Sequence, residues 1–277
     1  MPEMKIKVSE IFYSLQGEGL YQGTPSVFLR TFGCNFTCSG YSMPLGQKSE
    51  ERLAVDPAKY EKYDDLPLVH TGCDSYASWD VRFKHLSIFM TIDEIADKIR
   101  NLVRKFDSNV HLIITGGEPL LGWQRAYPLL LAELYPYGLT HVTFETNGTQ
   151  RLHKDLIEFL ENADLLVTFT IRSKLPSSGE AWDKAIQPDV IKEYGRVGVN
   201  NYFKWVVSSQ EDILSVIRAH HEYNQAGISI PVYLMPAGGT TKHYEENKKW
   251  VAKLAKDYGF RYSPRLQIDL YGNAWGT

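Results

Sequence analysis

The chain has 277 residues, a formal net charge of -3 and 43% hydrophobic residues. Those values describe one large or two small domains of ordinary soluble composition, without the electrostatic footprint of a nucleic-acid binder. No apolar run approaches the roughly 20 residues of a membrane span, and Met1-Pro2-Glu3-Met4-Lys5 lacks the apolar core of a signal peptide. A reducing, cytoplasmic setting is expected, with neither nucleic acid nor membrane as partner.

Strand and helix patterns alternate along the chain. Strands are expected over 6–15 and 26–32. Residues 39–68 then break the pattern, being rich in Lys, Glu, Asp, Pro and Tyr and poor in aliphatic side chains. They read as a surface excursion with a short helix near 57–63, which is either a functional loop or a tolerated insertion. Thr91-Ile92-Asp93-Glu94 is a capping box: the Thr91 hydroxyl takes an orphan amide while Glu94 reaches back. Behind it Ile92, Ile95, Ile99, Leu102 and Val103 recur at helical spacing. A buried strand over 110–114 ends at Thr115-Gly116-Gly117. A helix over 123–134, a strand over 141–145, a helix over 152–161 and a strand over 165–169 follow.

The second half continues with a strand over 202–207, a helix over 211–224, a strand over 228–234 and a helix over 244–258. A last strand is expected over 266–271. Such alternation predicts an α/β fold with a parallel sheet and right-handed crossovers. The units are too few for an eight-fold barrel, so a partial, open βα barrel fits. The whole chain, 1–277, reads as a single domain with 39–72 inserted in it. No internal repeat is present.

All three cysteines sit in motifs. Cys34 and Cys38 lie in Gly33-Cys34-Asn35-Phe36-Thr37-Cys38, and Cys73 lies in Thr71-Gly72-Cys73-Asp74-Ser75. Three thiolates can hold three irons of a [4Fe–4S] cluster and leave the fourth open to a ligand. Zinc held by three cysteines and the nearby His70 is one rival. Buried apolar thiols are another. A disulfide framework suits neither the odd count nor a chain long enough to bury a core.

Downstream come Thr115-Gly116-Gly117-Glu118-Pro119 and Glu145-Thr146-Asn147-Gly148. Glycines at a strand end let the backbone approach a ligand closely. In parallel α/β folds ligands bind at the carboxyl ends of strands. Cys34, Gly117 and Thr146 all follow expected strands and should converge on one face. Taken alone, Asn147-Gly148 reads as a hairpin-type turn.

Together these motifs resemble the radical S-adenosylmethionine (SAM) superfamily, although its usual CxxxCxxC is here stretched between Cys38 and Cys73. The resemblance implies a [4Fe–4S] cluster on Cys34, Cys38 and Cys73, and SAM chelating the open iron. Gly116, Gly117 and Glu118 would hold the methionine amino group, with Gly72 and Asp74 flanking the third cysteine. Thr146 and Asn147 would lie beside the ribose and methionine. Ser173 and Lys174 fall in Arg172-Ser173-Lys174, where the family usually reads Ser-Pro-Lys, and are assigned to the cofactor on that basis.

Glu10-Ile11-Phe12-Tyr13-Ser14-Leu15-Gln16-Gly17-Glu18-Gly19 and Gly23-Thr24-Pro25-Ser26-Val27-Phe28-Leu29-Arg30 resemble the 7-carboxy-7-deazaguanine synthase family. So do Phe203-Lys204-Trp205, Leu234-Met235-Pro236 and the segment 263–273. The resemblance implies ring contraction of 6-carboxy-5,6,7,8-tetrahydropterin with loss of ammonia, started by a 5′-deoxyadenosyl radical that takes hydrogen from C6. It also implies an electron donor of the flavodoxin or ferredoxin type, and leaves a homodimer open. Substrate contacts would come from Leu15, Gln16, Gly17, Arg30 and Thr115. Arg30 offers a planar fork for the substrate carboxylate, and Gln16 a donor and an acceptor for the pterin edge. Mg²⁺ would bind the hydroxyl of Ser75, a hard oxygen ligand, although Ser75 also reads as a helix cap. Gln267 stands where some relatives carry histidine. An activase of a glycyl radical enzyme and a non-catalytic metal-stabilised module are the competing readings.

Overall fold

A computed structural model describes residues 3–103, 105–106 and 109–277. In chain order its elements are β1 (Lys5–Leu15), β2 (Pro25–Thr31), β3 (Ile88–Thr91), α1 (Ile92–Leu102), β4 (His111–Gly116), α2 (Tyr127–Leu134), β5 (His141–Thr146) and α3 (Lys154–Asn162). They continue with β6 (Leu166–Ile171), α4 (Trp182–Ala185), α5 (Pro188–Val197), β7 (Tyr202–Val207), α6 (Gln210–Gln225), β8 (Val232–Pro236), α7 (Thr241–Tyr258), β9 (Arg261–Tyr262) and α8 (Leu266–Tyr271). The sheet runs β3-β1-β2-β4-β5-β6-β7-β8-β9. From β2 to β9 neighbours are parallel, while β1 and β3 pair antiparallel. This is the open, mostly parallel α/β architecture expected, extended by an antiparallel edge.

The capping box forms as read: Glu94 N–H donates to the Thr91 hydroxyl at 3.2 Å and Thr91 N–H to the Glu94 carboxylate at 2.8 Å. Other expectations need correction. Residues 266–271 form a helix, not a strand. Leu266, Ile268 and Leu270 alternate as in a strand, but Ile268 is buried and Leu270 exposed. Gly272 closes the turn in the left-handed region, its N–H donating to the Ile268 carbonyl at 3.0 Å. The sheet edge goes instead to Arg261–Tyr262. Helix α2 starts at Tyr127, because residues 123–126 form a turn and Pro128 sets the first helical turn. The excursion near 57–63 holds single 3₁₀ turns at Pro57–Lys59 and Tyr63–Asp65 rather than one helix. The helix α5 went unread, although Val190, Ile191, Tyr194 and Val197 bury one helical face behind Pro188.

The sheet's two faces differ in chemistry. On β2, β4, β5 and β7 the residues Leu29, Ile114, Phe144, Phe203 and Trp205 sink into one apolar core with α1, α2, α3, α5 and α6. Side chains alternate across a strand, so Arg30, Thr115, Glu145 and Lys204 turn the other way. Register aligns them, with Arg30 opposite Thr115 and Ile114 opposite Phe144. A polar row therefore crosses the carboxyl ends of the strands.

Residues 39–72 are folded. Val55, Tyr63, Leu66 and Val69 pack with Tyr76, Ala77 and Phe83 in a satellite core that Trp275 also joins. Among the described residues no helix is long and apolar enough to cross a membrane.

Candidate active site

Arg30, Thr115 and Glu145 of the polar row line a solvent-open cavity with about 780 Å³ of empty space. All five expected substrate residues line it: Leu15, Gln16, Gly17, Arg30 and Thr115. So do Gly116, Asp74 and Ser75. Phe12 and Phe28, stacked at 4.8 Å between ring centroids, give the lining apolar surface, and Leu68 and Trp275 add to it. Gly17 is required by close approach, since a Cβ there would overlap the side-chain amide of Gln267. Arg30 donates from Nε to Glu10 at 2.7 Å, which orients the guanidinium, and its two Nη groups make no hydrogen bond among the described residues.

A buried charge network runs through the lining and back to Lys204 behind it. Lys204 is fully enclosed, with Nζ 2.6 Å from Glu18 and 3.3 Å from Glu145. Arg265 pairs with Glu18 at 3.0 Å and with Asp74 at 2.8 Å, and also donates to the Gly238 carbonyl. Burial alone would raise these carboxyls. The Lys204 ammonium and the Arg265 guanidinium instead hold Glu18 well below the usual carboxylate range, and Lys204 and Arg172 hold Glu145 below it. Arg265 and Arg172 do the same for Asp74. Gln16 is drawn in: its Nε2 donates to Glu145 at 3.3 Å and its Oε1 accepts the Glu18 amide at 3.1 Å. Gln267 donates to Glu18 at 2.7 Å, while its Oε1 is buried without a hydrogen-bond partner among the described residues.

The three cysteines are free thiols. They meet around one apolar patch with Phe36, Tyr41 and Ala185. Cys73 returns to Cys38 because the Gly72 amide donates to the Tyr41 carbonyl at 2.8 Å and the Ser49 amide to the Ser39 carbonyl at 2.7 Å. The Glu51 carboxylate ties the far side, accepting from the amides of His70 and Thr71. Cys38 is held in the left-handed region at φ 47°, which an L-residue keeps only when its surroundings enforce it. They do: one oxygen of Glu180 accepts from the Cys38 amide at 2.8 Å, the Thr37 amide at 2.8 Å and the Thr37 hydroxyl at 3.2 Å.

Burial pushes the Cys34 thiol up to about 12 and raises those of Cys38 and Cys73. Thiols so placed stay protonated unless a metal binds, because coordination deprotonates them outright. Three gathered thiols beside the Lys174 ammonium fit a cluster bound through three thiolates. Among the described residues no three His, Cys, Asp or Glu side chains converge on a point that would hold a single metal ion. His70 contacts the Thr240 hydroxyl and the His243 ring rather than completing a zinc set.

The remaining motif residues lace these loops together. Glu118 is wholly buried and accepts from the Thr146 hydroxyl at 2.8 Å, the Asn147 amide at 2.6 Å and the Leu120 amide at 3.0 Å. Burial pushes its carboxyl up to about 7, against those hydrogen bonds. The Glu118 amide donates to the Gly33 carbonyl at 2.7 Å, and Asn147 Nδ2 to Asn35 at 2.8 Å. The Gly117 amide lies 3.4 Å from the Thr31 carbonyl. Cys34, Gly117 and Thr146 thus do share one end of the sheet. Asn147-Gly148 does not form a hairpin turn: the chain bends at Gly148, φ 79°, and leads into a crossover, since β5 pairs parallel with β6. Ser173 faces inward, its hydroxyl 2.8 Å from that of Tyr223. Gly72 and Asp74 line a second, smaller cavity with Tyr41, Met235 and Gly238.

No family model matches the chain. A 7-carboxy-7-deazaguanine synthase of Halobacterium salinarum is 30% identical over 281 residues, covering 97% of this chain and 91% of the relative. One from Pyrobaculum aerophilum is 30% identical over 285 residues, covering 98% and 97%. The chain belongs to the 7-carboxy-7-deazaguanine synthase family. The crystal structure of QueE from Escherichia coli shares the fold, with a TM-score of 0.55 at 18% identity over 95% of both chains. Membership in the 7-carboxy-7-deazaguanine synthase family makes the chain a radical SAM lyase, and implies a [4Fe–4S] cluster and SAM. The activase and non-catalytic readings are set aside with it.

Sequence reading missed several residues of this site. Glu145 and Lys204 could have been found, because each charge interrupts an apolar strand on the face away from the core. Arg265 and Glu180 carried no such signal. Their partners lie far away in the chain, and only folding brings them together.

Proposed function

We propose that the cavity binds 6-carboxy-5,6,7,8-tetrahydropterin and that the chain contracts its ring to 7-carboxy-7-deazaguanine, releasing ammonia. What carries this reading is the convergence of Leu15, Gln16, Gly17, Arg30 and Thr115 on one cavity whose rim holds Ser75, two residues from Cys73. In this reading Cys34, Cys38 and Cys73 hold the cluster, and Lys174 offsets the negative charge gathered there. When bound, the cluster and SAM supply the one-electron chemistry, with the electron coming from a flavodoxin- or ferredoxin-type donor.

The chain's own residues bind and orient. The Nη groups of Arg30 take the substrate carboxylate as a fork. Phe12, Phe28, Leu15 and Leu68 give the flat ring an apolar wall that keeps water off the reacting carbon. Glu145 and Glu18, kept ionised by Lys204 and Arg265, present acceptors to the donor-rich pterin edge. Gln267 adds its amide oxygen on the same side.

The lining holds three carboxylates, Glu18, Asp74 and Glu145, against three guanidiniums, Arg30, Arg172 and Arg265. A substrate carboxylate therefore enters with no surplus positive charge to meet it. Mg²⁺ at Ser75 would supply it, with waters and substrate oxygens completing its shell. The Ser75 hydroxyl makes no helix-cap bond and donates only a 3.4 Å bond to Asp74, so its oxygen is open to a cation.

An anaerobic assay with reduced, reconstituted protein, SAM and the tetrahydropterin decides the matter. Appearance of 7-carboxy-7-deazaguanine and ammonia is expected. Cofactor cleavage that is indifferent to this pterin would refute the substrate assignment.

A further inference from the structure

Among the described residues lining the first cavity, Arg172 is the one cation without an anion in contact. Arg30 is paired with Glu10, and Arg265 with Glu18 and Asp74. Lys204, behind the lining, is paired with Glu18 and Glu145. The backbone amide of Arg172 donates to the Thr146 carbonyl at 2.8 Å, but its guanidinium meets no described partner, and Nε is sealed from solvent unsatisfied. A buried charged donor left without an acceptor is costly, and folds satisfy such groups almost without exception.

Its position says what the acceptor is. Arg172 follows the last residue of β6 and, with Asp74 and Arg265, forms the wall shared by the two cavities. The Glu18, Glu145 and Asp74 carboxylates lie near enough to influence it but are held by Lys204 and Arg265. Charge around Arg172 is thus balanced at range while its hydrogen-bonding fork is unused. A planar fork suits a carboxylate.

We propose that Arg172 is a ligand-carboxylate receptor in the wall between the two cavities. The inference rests on the functional reading above, which brings two carboxylates to these cavities, the pterin's being also within the offer of the Arg30 fork. One is the methionyl carboxylate of SAM, and the other is the C6 carboxylate of the pterin.

Arg172→Lys keeps the charge balance and removes the fork. Calorimetric binding would be measured on anaerobically reconstituted wild type and variant. The ligands are SAM, decarboxylated SAM, the 6-carboxy-tetrahydropterin and the tetrahydropterin lacking that carboxylate. The variant should bind one carboxylated ligand about tenfold more weakly and bind its decarboxylated counterpart as the wild type does. The ligand that loses affinity names the source. Unchanged affinity for both carboxylated ligands overturns the inference and leaves Arg172 a charge-balancing residue, as does an equal loss with the decarboxylated forms. A wild type that binds neither SAM nor the pterin sinks the functional reading and this inference with it.

Discussion

The Gly72 amide donates to the Tyr41 carbonyl at 2.8 Å, and this bond closes the loop that separates Cys38 from Cys73. Gly72 has a φ of +79°, and a Cβ there would sit 3.2 Å from Ser49 Cβ. Gly72→Ala should strain that closure by about 1–2 kcal/mol. Iron content after anaerobic reconstitution should fall toward that of Cys73→Ala, while far-UV circular dichroism stays unchanged. Full loading in either variant would show that Cys73 is not brought in as a ligand.

Glu180 holds the Cys38 turn from the other side. Glu180→Ala removes three hydrogen bonds from the left-handed Cys38 and its neighbour, so cluster loading should drop. Glu180→Gln keeps an acceptor oxygen and removes the charge. It should load normally but raise the cluster's reduction potential, because nearby negative charge stabilises the oxidised cluster. A redox titration followed by electron paramagnetic resonance reads this directly. An unchanged potential would leave Glu180 a purely mechanical clamp.

Arg30→Lys tests the carboxylate contact. With Nε committed to Glu10, the arginine reaches substrate through two Nη groups, which lysine cannot copy. Substrate binding should weaken by about 1–3 kcal/mol, with SAM affinity unaltered. Equal pterin affinity in the two proteins would remove Arg30 from the site.

Glu18 sets a pH dependence of stability. Its carboxyl lies well below the usual range, chiefly through Lys204 and then Arg265, which outweigh burial. Between that depressed native value and the unfolded value of about 4.3, the unfolded chain binds more protons. Stability therefore rises with pH in that window and is flat above it. Glu18→Gln should cost about 3–5 kcal/mol near pH 7, because it takes one of the two buried anions from each of Lys204 and Arg265, leaving them Glu145 and Asp74. That gap should hold from about pH 6 to 8 and narrow as pH falls below about 4.3. Urea titrations of both proteins across pH supply the comparison, and a gap that widens in acid contradicts the argument.

Ser75 separates a metal ligand from a structural hydroxyl. It makes no cap bond, so Ser75→Ala should leave stability within about 0.5 kcal/mol. Turnover should rise with Mg²⁺ in the wild type and in Ser75→Thr, and respond weakly in Ser75→Ala. Superimposable Mg²⁺ curves for wild type and alanine would end the ligand role.

Much of this was legible in the sequence because it depends on short-range regularities. Alternating patterns placed β1, β2, β4–β8 and most helices, and the Thr91 capping box set the start of α1. The motifs that follow strands named the residues at the carboxyl ends, and the open parallel sheet gathers those ends by its own geometry. The period-2 pattern failed at 266–271, where Leu266, Ile268 and Leu270 alternate yet Gly272 ends a helical turn. Local pattern could not say which segment the sheet edge would accept.

By itself the sequence determined the fold class and the family, and it named the motif side chains proposed here to hold a cluster and a pterin. These follow from residue identity and periodicity, which need no partner. Tertiary structure alone decided how the set is wired. It brought Cys73 back across a folded insertion, seated Lys204 between Glu18 and Glu145, turned Ser173 into the core and left Arg172 unpaired at the wall. Each of those outcomes depends on which distant groups share one buried space. Charge pairing and burial are settled there by proximity in three dimensions, which spacing along the chain does not encode.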